Sequence, residues 1–185
     1  MSRRDFLRIS GGTVGAGLAF WMLRPGTASA RVLPPGALAA EAFTAACLRC
    51  GRCTAVCDQR AIQVDVFGEP YVDGISGWCD FCELCVETCP SGALTPFEPD
   101  TVVMGTAVID RDRCIAWLRV GCRLCAEKCD KLQQAIWIDE DLNPHVDEKL
   151  CNGCGACVFV CPQAAQMAGN RKRGKAISLQ EVIRH

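Results

Sequence analysis

Sixteen cysteines stand in the chain as four groups of four. Cys47, Cys50, Cys53 and Cys57 are spaced C-x2-C-x2-C-x3-C, as are Cys79, Cys82, Cys85 and Cys89 and again Cys151, Cys154, Cys157 and Cys161. The remaining group, Cys114, Cys122, Cys125 and Cys129, keeps the last two spacings and opens the first to seven residues. Two-residue gaps wrap three thiolates around one face of an iron–sulfur cube, and the fourth cysteine, a helical turn further on, points away toward a second cube. The expectation is that all sixteen are metal ligands holding four [4Fe–4S] clusters. Gly51, Gly153 and Gly155 sit inside the loops, where a backbone free to take positive φ can approach inorganic sulfur closely. Pro90 and Pro162 follow two of the fourth cysteines and fix the chain direction there.

Two other chemistries use cysteines at such density. An even count in an exported chain suits a disulfide scaffold, and zinc sites use C-x2-C pairs set apart by a longer loop. Neither accounts for a third cysteine two residues on and a fourth three further, repeated.

The chain has 185 residues, 22% of them charged and 6% aromatic. The organic core is thin for that length, and the cofactors are expected to fill the interior, so that the metal-free chain does not fold. The formal charge is −1, with +3 on the first thirty residues (Arg3, Arg4, Arg8 and Arg24 against Asp5) and −4 on the rest. A mildly acidic body argues against a nucleic-acid partner. The run Arg171, Lys172, Arg173 and Lys175 reads as a solvated tail or as a docking strip.

The opening MSRRDFLRIS places Arg3-Arg4 before Phe6-Leu7, a twin-arginine export signal. A glycine-rich apolar stretch from Ile9 to Leu23 and a small-residue site at Ala28-Ser29-Ala30 follow. The stretch is short for a membrane span; cleavage before Arg31 and retention as an anchor both stay open. The two features agree. Clusters are built in the reducing cytoplasm, whereas bare thiols oxidise in the periplasm, so the protein must cross already folded, through the twin-arginine translocase.

The expected organisation is a leader over 1–30, a linker and short helix over 31–46, a four-cluster domain over 47–169, and a basic tail with a short helix over 170–185. Within it, residues 31–36 are an extended linker because Pro34 and Pro35 disfavour helix, and Ala37–Ala46 is a short helix. Ala61–Val66 and Tyr71–Asp73 form a hairpin around Gly68–Pro70, Val102–Asp110 is a strand, and Ile136–Asp139 and His145–Asp147 form a second hairpin. Ser178 and Glu181 have capping-box spacing for a terminal helix through Val182 and Ile183. The fold class is α+β: two ferredoxin-like modules of short strands and short helices, built from a fourfold repeat. Spacing alone leaves open whether neighbouring motifs exchange their fourth cysteines or whether the outer and inner motifs pair in nested fashion.

Several segments together, LPPGALAAEAFTAACLRCGRC, CPSGAL, MGTAVIDRDRC and the widened C-x7-C, with the twin-arginine leader, resemble the periplasmic ferredoxin-type NapG/MauM family across nearly the whole chain. Asp58 and Asp130 stand where a proline follows the other fourth cysteines. The resemblance implies an electron-transfer subunit with no substrate site of its own, periplasmic or membrane-associated. It would relay electrons from a membrane quinol dehydrogenase subunit toward a periplasmic oxidoreductase such as nitrate reductase, or toward a cytochrome acceptor. A beta-type subunit of a molybdopterin oxidoreductase, and a maturation or redox-sensing factor, are the alternatives; likeness of the inner motifs to such beta subunits favours nested pairing. Asp58, Asp80, Asp130, Glu83 and Glu87 are expected to lower cluster potentials, and Arg49, Arg52 and Arg123 to oppose them. Trp117 and Arg119 lie in the widened spacing, as a shield, a docking loop or a packed indole. Trp78 and Trp137 are expected in the core, and His145 in a turn.

Overall fold

A computed structural model describes residues 31–130, 132–163 and 175–181; the side chain of Asp130 is outside this set, as are residues 1–30, on which the expected leader falls, Arg171 to Arg173, and Val182 and Ile183. Among the described residues six short strands and five short helices form two α+β modules. The first module contains α1 (Ala40–Ala46), α2 (Arg52–Val56), β1 (Ile62–Val64), β2 (Pro70–Val72) and α3 (Leu84–Glu87). The second contains β3 (Gly105–Ile109), α4 (Leu124–Asp130), β4 (Ile136–Ile138), β5 (Pro144–Val146), α5 (Ala156–Val160) and β6 (Ile177–Glu181).

Each module places a hairpin between its two cysteine motifs. β1 and β2 pair antiparallel from Ile62 against Val72 to Val64 against Pro70, and β4 and β5 pair from Ile136 against Val146 to Ile138 against Pro144. Both turns are closed by an aspartate. Asp65 Oδ1 accepts from the amides of Phe67 and Glu69, and Asp139 Oδ1 accepts from the amide of Asn143. These are local side-chain bonds of the kind that make aspartate a turn residue. The chain on either side of each motif pair also closes on itself. In the second module β3 and β6 pair over five residues, from Gly105 against Glu181 to Ile109 against Ile177. In the first, Ala37 bridges Leu94, with Leu38 N–H donating to Ala93 O (3.1 Å) and Thr95 N–H to Gly36 O (2.8 Å).

Two expectations are corrected by these pairings. Residues 31–36 are not a linker: Val32 is 2% exposed, Pro34 and Pro35 are fully buried, and Gly36 takes φ 72° beside the Thr95 carbonyl. The prolines exclude helix as expected, but their apolar rings are core material. The capping-box reading at Ser178 also fails. Ile177 and Leu179 face inward while Ser178 and Gln180 face solvent, a period of two that makes a strand.

Little of the interior is large. Among the described residues the fully buried bulky side chains are Phe43, Val158 and three prolines, and much of the remaining core is alanine, valine and cysteine. One apolar cluster centres on Phe43, Ile62, Val72, Cys85 and Leu94, the other on Ala107, Cys129, Ile136, Cys151, Cys157 and Val158. Leu179 packs against both and joins the modules.

Candidate iron–sulfur centres

The tight motifs share one backbone device. The residue before the second cysteine and the residue after it are both left-handed: Arg49 (52°) and Gly51 (72°), Phe81 (59°) and Glu83 (64°), Gly153 (76°) and Gly155 (84°). In the first two motifs the first of the pair turns its amide back toward the opening cysteine. Arg49 N–H reaches Cys47 Sγ at 3.4 Å and Phe81 N–H reaches Cys79 Sγ at 3.4 Å. The second opens a short helix that carries the third cysteine (Cys53, Cys85, Cys157), with the fourth just beyond it.

Those helices pack in pairs, α2 on α3 and α4 on α5, and the packing sorts the thiols into four sets. Cys47, Cys50, Cys53 and Cys89 line one recess, together with Arg49 and Arg52. Cys57 lies among Cys79, Cys82 and Cys85, near enough to raise the pKa of each. Cys114, Cys122, Cys125 and Cys161 line another recess, and Cys129, Cys151, Cys154 and Cys157 the last. Adjacent motifs therefore exchange their fourth cysteines, first with second and third with fourth. This corrects the preference for nested pairing. The hairpin between the motifs of each module returns the chain at once, so the two short helices lie side by side and each delivers its fourth thiol to its neighbour's loop.

Further amides point at these sulfurs. Ala61 N–H bonds Cys57 Sγ and Ala135 N–H bonds Cys129 Sγ, both at 3.3 Å, while Ala107 N–H bonds Cys151 Sγ at 3.4 Å. Burial pushes the thiols of Cys79, Cys85 and Cys125 up to about 12, with neighbouring thiols adding to the effect. Cys157 is driven well above its ordinary value in the same way. At Cys89 burial acts upward too, but the Leu94 amide, the Ser91 hydroxyl and the amides of Ser91 and Ala93 outweigh it and lower the pKa. The surroundings of Cys79, Cys85, Cys125 and Cys157 do not favour bare thiolate. They suit thiolate facing iron, whose positive charge replaces the lost hydration. None of the sixteen cysteines, all of which lie among the described residues, is joined in a disulfide. Among the described residues no three Cys, His, Asp or Glu side chains close on one point that a lone metal ion could take. Zinc requires four sulfurs at about 2.3 Å from one centre, whereas a cube gives each thiolate its own iron. The four sets of thiols, three of them lining a recess, therefore fit cubane clusters, with three cysteines from one motif and one from its neighbour available to hold each.

The other candidate residues divide. Asp80 stands by the second set and raises both Cys79 and Cys82 after burial. The widened third motif folds as a kinked turn over Ala116–Val120, with Arg119 left-handed at 65°. Its indole turns inward: Trp117 Nε1 donates to Pro144 O (3.4 Å), its ring meets His145 edge-on at 5.4 Å, and Arg111 covers it at 4.4 Å. Leu118, Arg119 and Val120 are exposed. Trp137 is not a core residue; it is 53% exposed and stacks on His145 at 4.5 Å. His145 lies in β5 rather than in a turn, and its Nε2 meets Asp139 Oδ2 at 2.8 Å. Trp78 is half-buried between Phe159 (5.0 Å) and the Lys128 ammonium (4.1 Å). One contributor escaped the sequence reading. Lys175 Nζ donates to Phe159 O (2.7 Å) and Cys161 O (3.1 Å), closing the end of α5 beside the third set. Nothing in the spacing distinguishes it from the rest of the basic run, in which the sequence placed it as tail or docking strip.

Models described as "4Fe-4S dicluster domain" match residues 46–94, 78–132 and 107–167. The protein is 34% identical to "Ferredoxin-type protein NapG" of Escherichia coli (strain K12) over 182 residues, covering 85% of this chain and 78% of that protein. It is 32% identical to "Methylamine utilization ferredoxin-type protein MauM" of Methylophilus methylotrophus over 179 residues, covering 86% and 79%. The chain belongs to the ferredoxin-type NapG/MauM family. "Ferredoxin-type protein NapF" of Escherichia coli (strain K12) is 32% identical over 142 residues, covering 75% of this chain and 84% of that one. Membership makes this an iron–sulfur protein of electron transfer that carries [4Fe–4S] clusters. The middle match, over 78–132, joins the second and third motifs. Repetition of one spacing makes any neighbouring pair resemble a two-cluster unit, but Cys89 lines the recess of the first motif and Cys129 that of the fourth. Side-chain placement decides the pairing. Among the described residues no helix is long and apolar enough to cross a membrane.

Proposed function

We propose that this protein is exported folded through the twin-arginine translocase and works in the periplasm as a relay of four [4Fe–4S] clusters, ligated by all sixteen cysteines. It takes electrons from a membrane quinol dehydrogenase subunit and passes them to a periplasmic oxidoreductase such as nitrate reductase, or to a cytochrome acceptor. The observation that carries this reading is the sorting of the cysteines into four complete quartets with none left over. The relatives' names, NapG among them, support the partner class. Arg3-Arg4 with Phe6-Leu7 supports the export route.

The clusters supply the redox chemistry, taking up and releasing single electrons. The chain holds the thiolates, aims amides at their sulfurs and sets how strongly each site favours the extra electron. Hydrogen bonds to sulfur, net charge and exposure are the available levers. No group of this chain need make or break a bond on a substrate. Residues 1–30 are the proposed leader, 31–163 the cluster-bearing body, and the segment from 175 its closing strand.

The test is reduction by membranes. Anaerobically purified protein, mixed with membranes carrying its quinol dehydrogenase and a quinol, should bleach in the visible as the clusters reduce. Replacing Arg3 and Arg4 with lysine should leave the protein in the cytoplasm. Protein that stays oxidised while the quinol is consumed, or a lysine variant exported normally, contradicts the proposal.

A further inference from the structure

Chain order suggests a relay that runs through the motifs from first to fourth. The contacts between the modules do not follow that order. Cys79 N–H donates to Cys154 O at 2.8 Å. This backbone bond ties the opening cysteine of the second quartet to a cysteine of the fourth. Around it, a Cβ built on Gly74 would stand 2.8 Å from Gly155 O and 2.8 Å from Val158 Cβ. Trp78 meets Phe159 at 5.0 Å, and the Lys128 ammonium, one residue before Cys129, lies 4.1 Å from the Trp78 ring. All of these contacts join the segment from Gly74 to Cys79 with residues that border or build the fourth quartet. The first quartet meets the second through the packing of α2 on α3, and the third meets the fourth through α4 on α5.

We infer that the four quartets lie in the linear order first, second, fourth, third, joined at the centre by the Cys79–Cys154 hydrogen bond. The two ends, where electrons enter and leave, are then the Cys47, Cys50, Cys53, Cys89 quartet and the Cys114, Cys122, Cys125, Cys161 quartet. This rests on the cluster-relay reading above. Each hop along the line moves one electron, oxidising one site as it reduces the next, with no bond made or broken. The widened third motif belongs to an end under this order: Leu118, Arg119 and Val120 present an exposed loop beside the third quartet. At the other end Leu48, Arg49 and Arg52 lie exposed around the first. Trp78 and Phe159 are positioning residues for the central hop.

The experiment reads magnetic coupling between reduced clusters by EPR in full-length, anaerobically purified, dithionite-reduced protein. Iron is measured on every sample. Cys50→Ser removes an end, and the remaining three clusters should stay coupled. Cys122→Ser should do the same. Cys82→Ser removes an inner site and should leave one slowly relaxing, isolated cluster beside one coupled pair, as should Cys154→Ser. Isolation of a cluster by Cys122→Ser, with three still coupled after Cys154→Ser, restores chain order and overturns the inference. Where a serine variant loses more than one cluster, the aspartate variant at the same position keeps an anionic ligand and tags its cluster by a changed spectrum. The tagged second site should then couple to two neighbours and the tagged third site to one; two neighbours for the third overturns the order. A wild-type iron content far from about sixteen per chain would instead sink the cluster reading, whatever the coupling.

Discussion

Gly74 and Gly155 oppose each other so closely that a Cβ on Gly155 would stand 2.8 Å from Gly74 Cα. Gly51 fills the equivalent place in the first motif at a similar φ, 72° against 84°, and a Cβ there meets nothing within 4 Å. The two positions therefore separate backbone strain from space. Gly51→Ala costs about 1–2 kcal/mol for placing an L residue in the left-handed region. Gly155→Ala adds a backbone collision that cannot relax without parting the modules. Thermal melting of the two holoproteins should show a modest loss for Gly51→Ala and a several-fold larger loss for Gly155→Ala. Equal losses would mean that the glycine contact does not hold the modules together.

Asp80 follows Cys79 directly, and its charge acts on both Cys79 and Cys82. A carboxylate at that place disfavours an added electron. Asp80→Asn should raise the potential of the second cluster by on the order of tens of millivolts and leave the third unmoved. A potentiometric EPR titration reads both. A downward shift, or an equal shift of all clusters, contradicts the placement.

Lys175 holds the carbonyls of Phe159 and Cys161. Lys175→Met keeps the aliphatic stem and removes both bonds, which should cost about 1 kcal/mol and loosen the third quartet. Iron release to a chelator should speed up several-fold, with the EPR signal of that cluster lost first. Release at the wild-type rate would return Lys175 to the solvated tail suggested by the basic run.

The export proposal has its own consequence. With a general secretory leader in place of residues 1–30, the chain would cross unfolded and meet an oxidising compartment before loading its clusters. Periplasmic protein from that exchange should be colourless and disulfide-bonded. A full cluster content would show that loading does not precede crossing.

What could be read in the chain divides along physical lines. The cysteine motifs, the hairpins and β3 were legible because cysteine spacing and period-two alternation are local signals. The pairing of motifs was not, because Cys57 and Cys129 carry the same spacing whichever neighbour receives them; only the packing of α2 on α3 and α4 on α5 decides. The closing strand at Ile177 was missed because Ser178 and Glu181 mimic a helix start, while its partner β3 lies some seventy residues away. Trp137 was misplaced because a hydrophobic residue beside a motif reads as core, whereas here His145 offers it a surface stack. Arg49, Phe81 and Glu83 show that left-handed backbone need not carry glycine, so composition could not mark those loop positions.

The central claim is that sixteen thiolates hold four cubes, three from one motif and the fourth from its neighbour. The most direct measurement is iron and acid-labile sulfide with Mössbauer spectra on anaerobically purified wild-type and Cys57→Ser protein. The account predicts about sixteen iron and sixteen sulfide per wild-type chain, all in [4Fe–4S] form. It predicts that Cys57→Ser damages the cluster held by Cys79, Cys82 and Cys85 while sparing the other three. Colourless protein rich in disulfides or zinc, or a Cys57→Ser variant whose lost signal is that of the fourth motif, would contradict it.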